Sequence, residues 1–158
     1  MPRLLSISLT LVAAATLTAC SASKGEADQG SAKESAAGEA VPAALSGEEG
    51  LALAADCSAK LKSVSNLYST LAAQSSGADA EELAKRASQR DSAATAFAQI
   101  AESAAGTIGK TPEQAAQAIR DADAAVQSEF NKRPFEDFAT WVTNEVDTKC
   151  REALTGKS

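Results

Sequence analysis

Apolar residues recur every three or four positions through residues 46–158, and this spacing limits the fold more than any other feature of the chain. In one stretch Ala87, Ala94, Phe97 and Ala101 follow one another at intervals of seven, three and four. Because an α-helix turns by about 100° per residue, this spacing places the four side chains on one helical face. Aromatic residues make up only 4% of the sequence, so the helices should pack closely on small side chains. We therefore predict an all-α fold.

Capping and breaking residues divide this pattern into four segments. The predicted helices lie near residues 47–75, 79–106, 112–132 and 134–155. Ser46 with Glu49 is expected to form a capping box at the first start, and Asp79 with Glu82 repeats the pattern at the second. The clearest start is at Thr111–Gln114, which combines a Thr cap, Pro at the first helical position and Gln three residues after the cap.

The same period predicts which side chains of each helix face the core. In the first helix Cys57 lies at the centre of the apolar face, and in the second the face includes Arg90. The other inward residues are predicted to be Leu53, Leu61, Val64, Tyr68, Leu71, Leu83, Ala104, Ile108, Ala115, Ile119, Ala122, Val126, Phe130, Phe135, Phe138, Ala139, Val142, Val146, Cys150 and Ala153. Gly106 and Gly109 are expected to end the second helix, and Gly156 the fourth.

The amino terminus has a different character. Residues 1–3 supply one positive side chain, and residues 4–19 form an uncharged, largely apolar stretch that ends in small residues. This is the anatomy of an export signal. At roughly 16 residues the stretch is shorter than the ~20 that a helix needs to cross a bilayer, which favours a signal peptide over a permanent span.

The signal ends in Leu17-Thr18-Ala19-Cys20. This motif resembles the lipobox of bacterial lipoproteins, which reads Leu, a small or polar residue, Ala or Gly, then Cys. The resemblance implies cleavage before Cys20, a diacylglycerol thioether on its sulfur and an acyl chain such as palmitate on its new amino group. Ser21 follows where an Asp would mark inner-membrane retention in some envelopes, which favours the outer membrane. The alternative is a plain secretory signal that leaves Cys20 free.

Lipidation of Cys20 leaves two of the three cysteines, Cys57 and Cys150. In an exported protein such a pair is most simply a disulfide. Cys57 lies near the beginning of the first helix and Cys150 near the end of the fourth, so antiparallel neighbours would bring the two thiols to one level. We therefore predict an up-down-up-down four-helix bundle with a disulfide from its first helix to its fourth.

Residues 20–45 are expected to form a lipidated flexible tether between the signal and the bundle of residues 46–158. The segment is rich in Gly, Ser, Ala and Glu, contains Pro42 and shows no apolar period. Such a composition does not bury enough apolar surface to offset the entropy lost on ordering.

Composition also excludes several functions. The chain has no histidine, which removes His-dependent nucleophiles and His-ligated zinc, and its two domain cysteines are too far apart for a Cys-x-x-Cys redox pair. The formal net charge is −6 and no basic stripe is present, so nucleic acid is not an expected partner. We expect no catalytic residue, no metal and no cofactor.

Two residues have more than one interpretation. Arg90 stands where the helical pattern calls for an apolar side chain. Either its stem is buried and its guanidinium reaches a carboxylate, with Asp91 on the flank of the same face, or it forms an anion site inside the bundle. Trp141 lies on the flank of the fourth helix. It either packs against a neighbouring helix or forms, with Phe138, an exposed aromatic contact for a partner.

These features together predict a membrane-anchored protein of the cell envelope that is not an enzyme. The helical bundle would act through contact with another envelope protein, or as a structural module, with Trp141 and Phe138 at the contact. The alternative is a bundle that binds a small anionic ligand through Arg90.

Overall fold

The computed structural model describes residues 42–155, and within this range the protein contains helices and no β-strand. The all-α prediction is therefore confirmed. The elements are a 3₁₀ turn at Ala43–Leu45, α1 at Gly47–Gln74, α2 at Gly77–Thr107, α3 at Pro112–Lys132, α4 at Phe135–Glu145, a π-helical turn at Val146–Cys150, and α5 at Arg151–Thr155. The last three elements follow one another without a break and correspond to the predicted fourth helix.

The helix starts show where capping rules succeed and where they fail. At Thr111 the predicted capping box is present, since the hydroxyl accepts from the Gln114 amide and the Gln114 side chain accepts from the Thr111 amide. The box predicted at Ser46 is wrong, because this hydroxyl donates to the Ala43 carbonyl instead, at 2.7 Å. The start predicted at Asp79 is also wrong. Helix α2 begins two residues earlier, after Ser76, whose side chain makes no capping bond.

The end of α2 follows the predicted glycine rule. Gly109 adopts a φ of +73°, which L-residues rarely take. This turn lets the Lys110 amide donate to the Ala105 carbonyl at 2.9 Å and the Gly109 amide donate to the Gly106 carbonyl at 3.2 Å. Both bonds belong to a Schellman motif, which satisfies carbonyls that a helix end leaves without partners.

Helices α1 and α2 approach each other closely along small side chains. The hydroxyl of Ser58 donates to the Ala94 carbonyl at 2.9 Å, and that of Ser65 donates to the Ala87 carbonyl at 2.9 Å. Seven residues forward in α1 thus correspond to seven residues back in α2, so the two helices run in opposite directions. The bulk of the core lies between α1 and its neighbours.

The folded region begins earlier than predicted. Leu45 was expected to end the tether, but its side chain is completely buried and belongs to the core. Its backbone packs directly on Gly50 in the first turns of α1, so closely that a Cβ at position 50 would overlap the Leu45 carbonyl. Residues 43–45 are therefore part of the domain. The predicted signal, Cys20 and the rest of the tether lie outside the described residues, as does Gly156.

Three of the predicted inward residues are exposed. Phe135 is 51% exposed, Leu71 40% and Phe130 38%. Each lies in the first or last turn of its helix, where neighbouring helices cover only one side of the turn. The helical period identified the correct side of each helix but did not indicate where the neighbouring helices end.

The structure contains the predicted Cys57–Cys150 disulfide, with the two Cα atoms 5.6 Å apart. It joins α1 to the π-helical turn, and both cysteines are buried. Within residues 42–155 no helix combines the length and the hydropathy that crossing a bilayer requires.

Candidate functional site

One end of the molecule carries an apolar groove between α1, α3 and the start of α4. The groove has a volume of about 330 Å³. Its apolar lining is Leu67, Val126, Phe130, Phe135 and Phe138, and its polar lining is Ser63, Asn66, Thr70 and Gln127. We call this feature the aromatic groove. Phe130 and Phe135 expose much of their rings here, an arrangement typical of a surface that contacts another molecule.

The rings at this groove form a connected cluster. Phe130 meets Phe138 edge to face, with centroids 5.0 Å apart and planes at 87°, and Phe138 meets Trp141 at 5.7 Å. Phe138 is only 3% exposed, so the prediction that it forms part of an exposed contact is wrong. It lies in the core and packs against the exposed ring of Phe130. Phe135, which was predicted to face inward, takes the exposed position.

Trp141 is half-buried and lies between two cations. The guanidinium of Arg133 lies 5.0 Å from its ring centroid, and the Lys60 ammonium lies 5.4 Å from it. Cations at such distances are attracted by the negative face of the indole. Trp141 therefore has a packing role at the border of α4, where it also contacts the ring of Phe138.

The Lys60 ammonium is the centre of a buried ionic network. The residue is 6% exposed, and its ammonium donates to Asp56 at 2.7 Å and to Glu145 at 2.8 Å. Glu145 also accepts from Lys149 at 2.7 Å. A charge as buried as that of Lys60 requires close partners of opposite sign, and Asp56 and Glu145 supply them.

This network shifts the pKa values of its members. Burial alone would lower the pKa of Lys60, but hydrogen bonds to Asp56 and Glu145 outweigh it and hold the pKa above its ordinary value of 10.5. Burial alone would raise the pKa of Glu145, but hydrogen bonds from Lys149 and Lys60 outweigh it and hold the pKa below 4.5. Lys60 and Glu145 are therefore both charged near neutral pH, and their ion pair fixes α4 against α1 beside Trp141.

Arg90 lies on α2 and is half-buried. Its guanidinium donates to the Asp147 carboxylate of the π-helical turn at 3.2 Å. The predicted flanking partner, Asp91, instead accepts from Lys62 of α1 at 2.5 Å. One residue further along a helix points about 100° away, which directs the neighbouring carboxylate to a different helix. The general prediction of a carboxylate partner therefore holds, but the proposed residue is wrong.

The ionic network around Lys60 has little signal in the sequence. An ion pair of Lys60 could have been suspected from Asp56, four residues earlier, but its second partner, Glu145, lies 85 residues away.

Among residues 42–155 no group of three Cys, Asp or Glu side chains is arranged to hold a metal ion. Cys20, the predicted lipidation site, lies outside this range.

No model of a known family, no curated protein and no solved structure matches this chain.

Proposed function

We propose that this protein is a lipid-anchored component of the cell envelope whose helical bundle acts by contact with a protein partner at the aromatic groove. The observation that carries the proposal is the exposed ring of Phe130, which packs edge to face on the buried ring of Phe138, together with the exposed ring of Phe135 in the same groove. Aromatic side chains fixed in advance are typical anchors of protein interfaces, because little side-chain entropy is lost when they are covered.

The lining of the groove favours a partner segment with one apolar face. The floor is apolar, while Asn66 and Gln127 place amide groups at the edge of the groove. An amphipathic helix or an extended strand could insert an apolar side chain between Phe130 and Phe135 and bond to these amides. This combination of an apolar centre with a polar rim is common in protein interfaces.

We also propose that the helices follow the up-down-up-down order. Cys57 is bonded to Cys150, and three residues later in α1 Lys60 bonds to Glu145, five residues earlier in the fourth segment. These contacts support an antiparallel arrangement of the two. Lys110 before α3 pairs with Glu48 at the start of α1, which supports α3 running in the direction of α1.

This arrangement places the aromatic groove far from the point where residue 42 leads into the bundle. The groove contacts α1 from Ser63 to Thr70, which at 1.5 Å per residue is roughly 24 to 35 Å along the helix from Gly47. A domain tethered to a membrane through its amino-terminal segment would thus present the groove away from its own attachment point.

The anchor itself is proposed from Leu17–Cys20 and the apolar stretch before it. Residues 1–19 would be removed on export, and Cys20 would carry the acyl chains on the periplasmic or extracellular side of a membrane. Several chains are needed for stable attachment, since a single acyl chain holds a protein only marginally. Ser21 after the cysteine favours the outer membrane.

The contact proposal is tested by site-specific photocrosslinking in living cells. A photoreactive amino acid at Gln127, on the edge of the groove, should give a discrete crosslinked product with a second protein. The same probe at Glu81, an exposed residue of α2, should not. Phe135→Ala should reduce the yield from position 127 at least several-fold. Leu154→Ala, which removes a similarly exposed apolar side chain elsewhere, should leave the yield unchanged.

Equal products from positions 127 and 81, or an unchanged yield in Phe135→Ala, would contradict the contact proposal. The anchor is tested separately by mass spectrometry of the protein from native membranes. The expected first residue is Cys20 with attached acyl chains, and Cys20→Ser should release the protein from the membrane fraction. A mature chain with an unmodified first residue would refute the anchor without affecting the contact proposal.

A further inference from the structure

Two surface grooves meet at Arg90, and they share no lining residue with the aromatic groove. The first, about 330 Å³, is polar and is lined by Tyr68, Arg86, Gln89, Arg90 and Ala93. The second, about 210 Å³, shares Arg90 and Ala93 with the first. Its remaining lining is mostly apolar and includes Leu61, Phe97, Val146 and Leu154. Because they share two lining residues, the grooves adjoin at Arg90, and we call the pair the Arg90 groove.

Taken over both halves, the Arg90 groove carries more positive than negative charge. Arg86 pairs with Glu82 at 3.0 Å, while Arg90 and Arg151 share the single carboxylate of Asp147 at 3.2 and 3.7 Å. Three guanidinium groups therefore meet two carboxylates. In a chain whose formal net charge is −6, such a local excess of positive charge favours an anionic ligand.

The apolar half has a different lining. Leu61 and Phe97 are buried and form its floor, whereas Leu154 is 53% exposed and forms its edge. Covering this edge with a hydrocarbon chain would remove apolar surface from water, which is favourable in proportion to the area covered. A small hydrophilic anion would leave this half of the groove unused.

The wall of the apolar half is formed by the π-helical turn Val146–Cys150. Val146, Asp147 and Cys150 of this turn all line the groove, and the disulfide ties its last residue to α1. Short π-helical turns within α-helices occur mostly as single insertions and often at functional sites. Here the turn carries the carboxylate that positions Arg90, so the irregular backbone and the charged cluster coincide.

We propose that the Arg90 groove binds a single-chain amphiphile with an anionic head group. The head, a carboxylate or a phosphate, contacts the guanidinium groups of Arg90 and Arg86 in place of part of their present ion pairing. The hydrocarbon chain lies over Phe97 and against Leu154. This inference goes beyond the contact function and does not depend on it, since the two grooves use different residues.

The test uses the full chain in envelope preparations and a decanoic acid analogue with a photoreactive group at its tail. After irradiation, tandem mass spectrometry should find the label on residues 146–154. Unlabelled decanoate and decyl phosphate should both compete with the probe. Decanol, which has the chain without the charge, and inorganic phosphate, which has the charge without the chain, should each compete at least ~10-fold less well.

Variants assign the two halves of the groove. Arg90→Gln should raise the probe concentration for half-maximal labelling by ~10-fold or more, because it removes a charge-assisted hydrogen bond. Leu154→Asn should raise it several-fold. Arg120→Gln is the matched control, since Arg120 is an exposed arginine of α3 that bonds to Gln117, and it should label as the wild type does.

Equal competition by decanol and decanoate would overturn the role of the anionic head group. Equal competition by inorganic phosphate and decyl phosphate would show a site for free anions and overturn the amphiphile. Wild-type labelling of a folded Arg90→Gln protein would overturn the assignment of Arg90. Should that variant fail to fold, the competition series on the wild type and the Leu154→Asn variant decide the proposal.

Discussion

Opening the Cys57–Cys150 disulfide is expected to remove a large part of the stability of the domain. The bond closes a loop with a sequence separation of 93 residues. In the chain-entropy model a loop of this size stabilises the folded state by about 4.6 kcal/mol at 25 °C, because it restricts the unfolded chain. Domains of this size are stable by only about 5 to 15 kcal/mol in total. The core here is rich in alanine, so little reserve is expected.

The same loss of stability can be expressed as a fall in melting temperature (Tm). Unfolding entropy is about 2.1 cal/mol/K per residue, so roughly 110 folded residues have about 0.23 kcal/mol/K. A loss of about 4.6 kcal/mol then lowers Tm by roughly 20 °C. The assay is thermal unfolding of the protein, followed by circular dichroism, with and without a reductant. Cys57→Ala/Cys150→Ala provides the second measurement, since alanine adds no polar atom to a buried site.

The double variant also serves as the control for the reductant, which should not change its Tm. Thiol labelling under the same conditions must show that the bond has opened in the wild type. If labelling shows open thiols and Tm falls by less than about 3 °C, the loop-entropy reasoning is refuted for this protein. In that case helix packing alone would account for the stability of the domain.

Three further changes test other parts of the structure. Gly50→Ala should destabilise the fold by about 1 to 3 kcal/mol in urea unfolding, because the new Cβ would overlap the Leu45 backbone. Gly106→Ala, with nothing within 4 Å of its Cβ, should not destabilise it. The pKa of Glu145 is lowered from 4.5 in the folded protein, so its ionised form stabilises the fold. This stabilisation is complete above pH 4.5 and is lost as the pH falls through the lower pKa of the folded state. Urea midpoints measured down to roughly pH 3 should therefore fall less steeply in Glu145→Gln than in the wild type. Thr111→Ala should cost about 1 kcal/mol of unfolding free energy by removing the cap of α3, and an unchanged urea midpoint would show that this cap contributes nothing.

The features that were predicted correctly depend on residues close together in sequence or on counting. The start of α3 could be predicted because Thr111 and Gln114 satisfy each other's amides within one turn. The end of α2 could be predicted because glycine readily adopts the conformation found at Gly109. The Cys57–Cys150 pair followed from the number of cysteines and from the order of the helices.

The features that were missed depend on where separate helices meet. Helical periodicity places Phe135 on the inner side of α4, yet the ring is exposed because it lies beyond the cover of its neighbours. The partner of Arg90 is Asp147, 57 residues away, and no local pattern selects it over Asp91. The second partner of the buried Lys60 is Glu145, which comes from another helix. Both grooves are also lined by residues from more than one helix, so no local pattern predicts them.

The Cys57–Cys150 bond also determines how the domain would respond to mechanical force. A pull applied to the two ends of the chain would pass from Cys57 directly to Cys150, since the bond is far stronger than any non-covalent contact around it. The 93-residue separation between them corresponds to roughly 300 Å of extended chain that force alone would not release. Both grooves lie largely within this shielded segment. Under such tension the aromatic groove would stay within the closed loop until a reductant cleaved the bond, whereas Arg151 and Leu154 of the Arg90 groove follow Cys150 and would not be shielded.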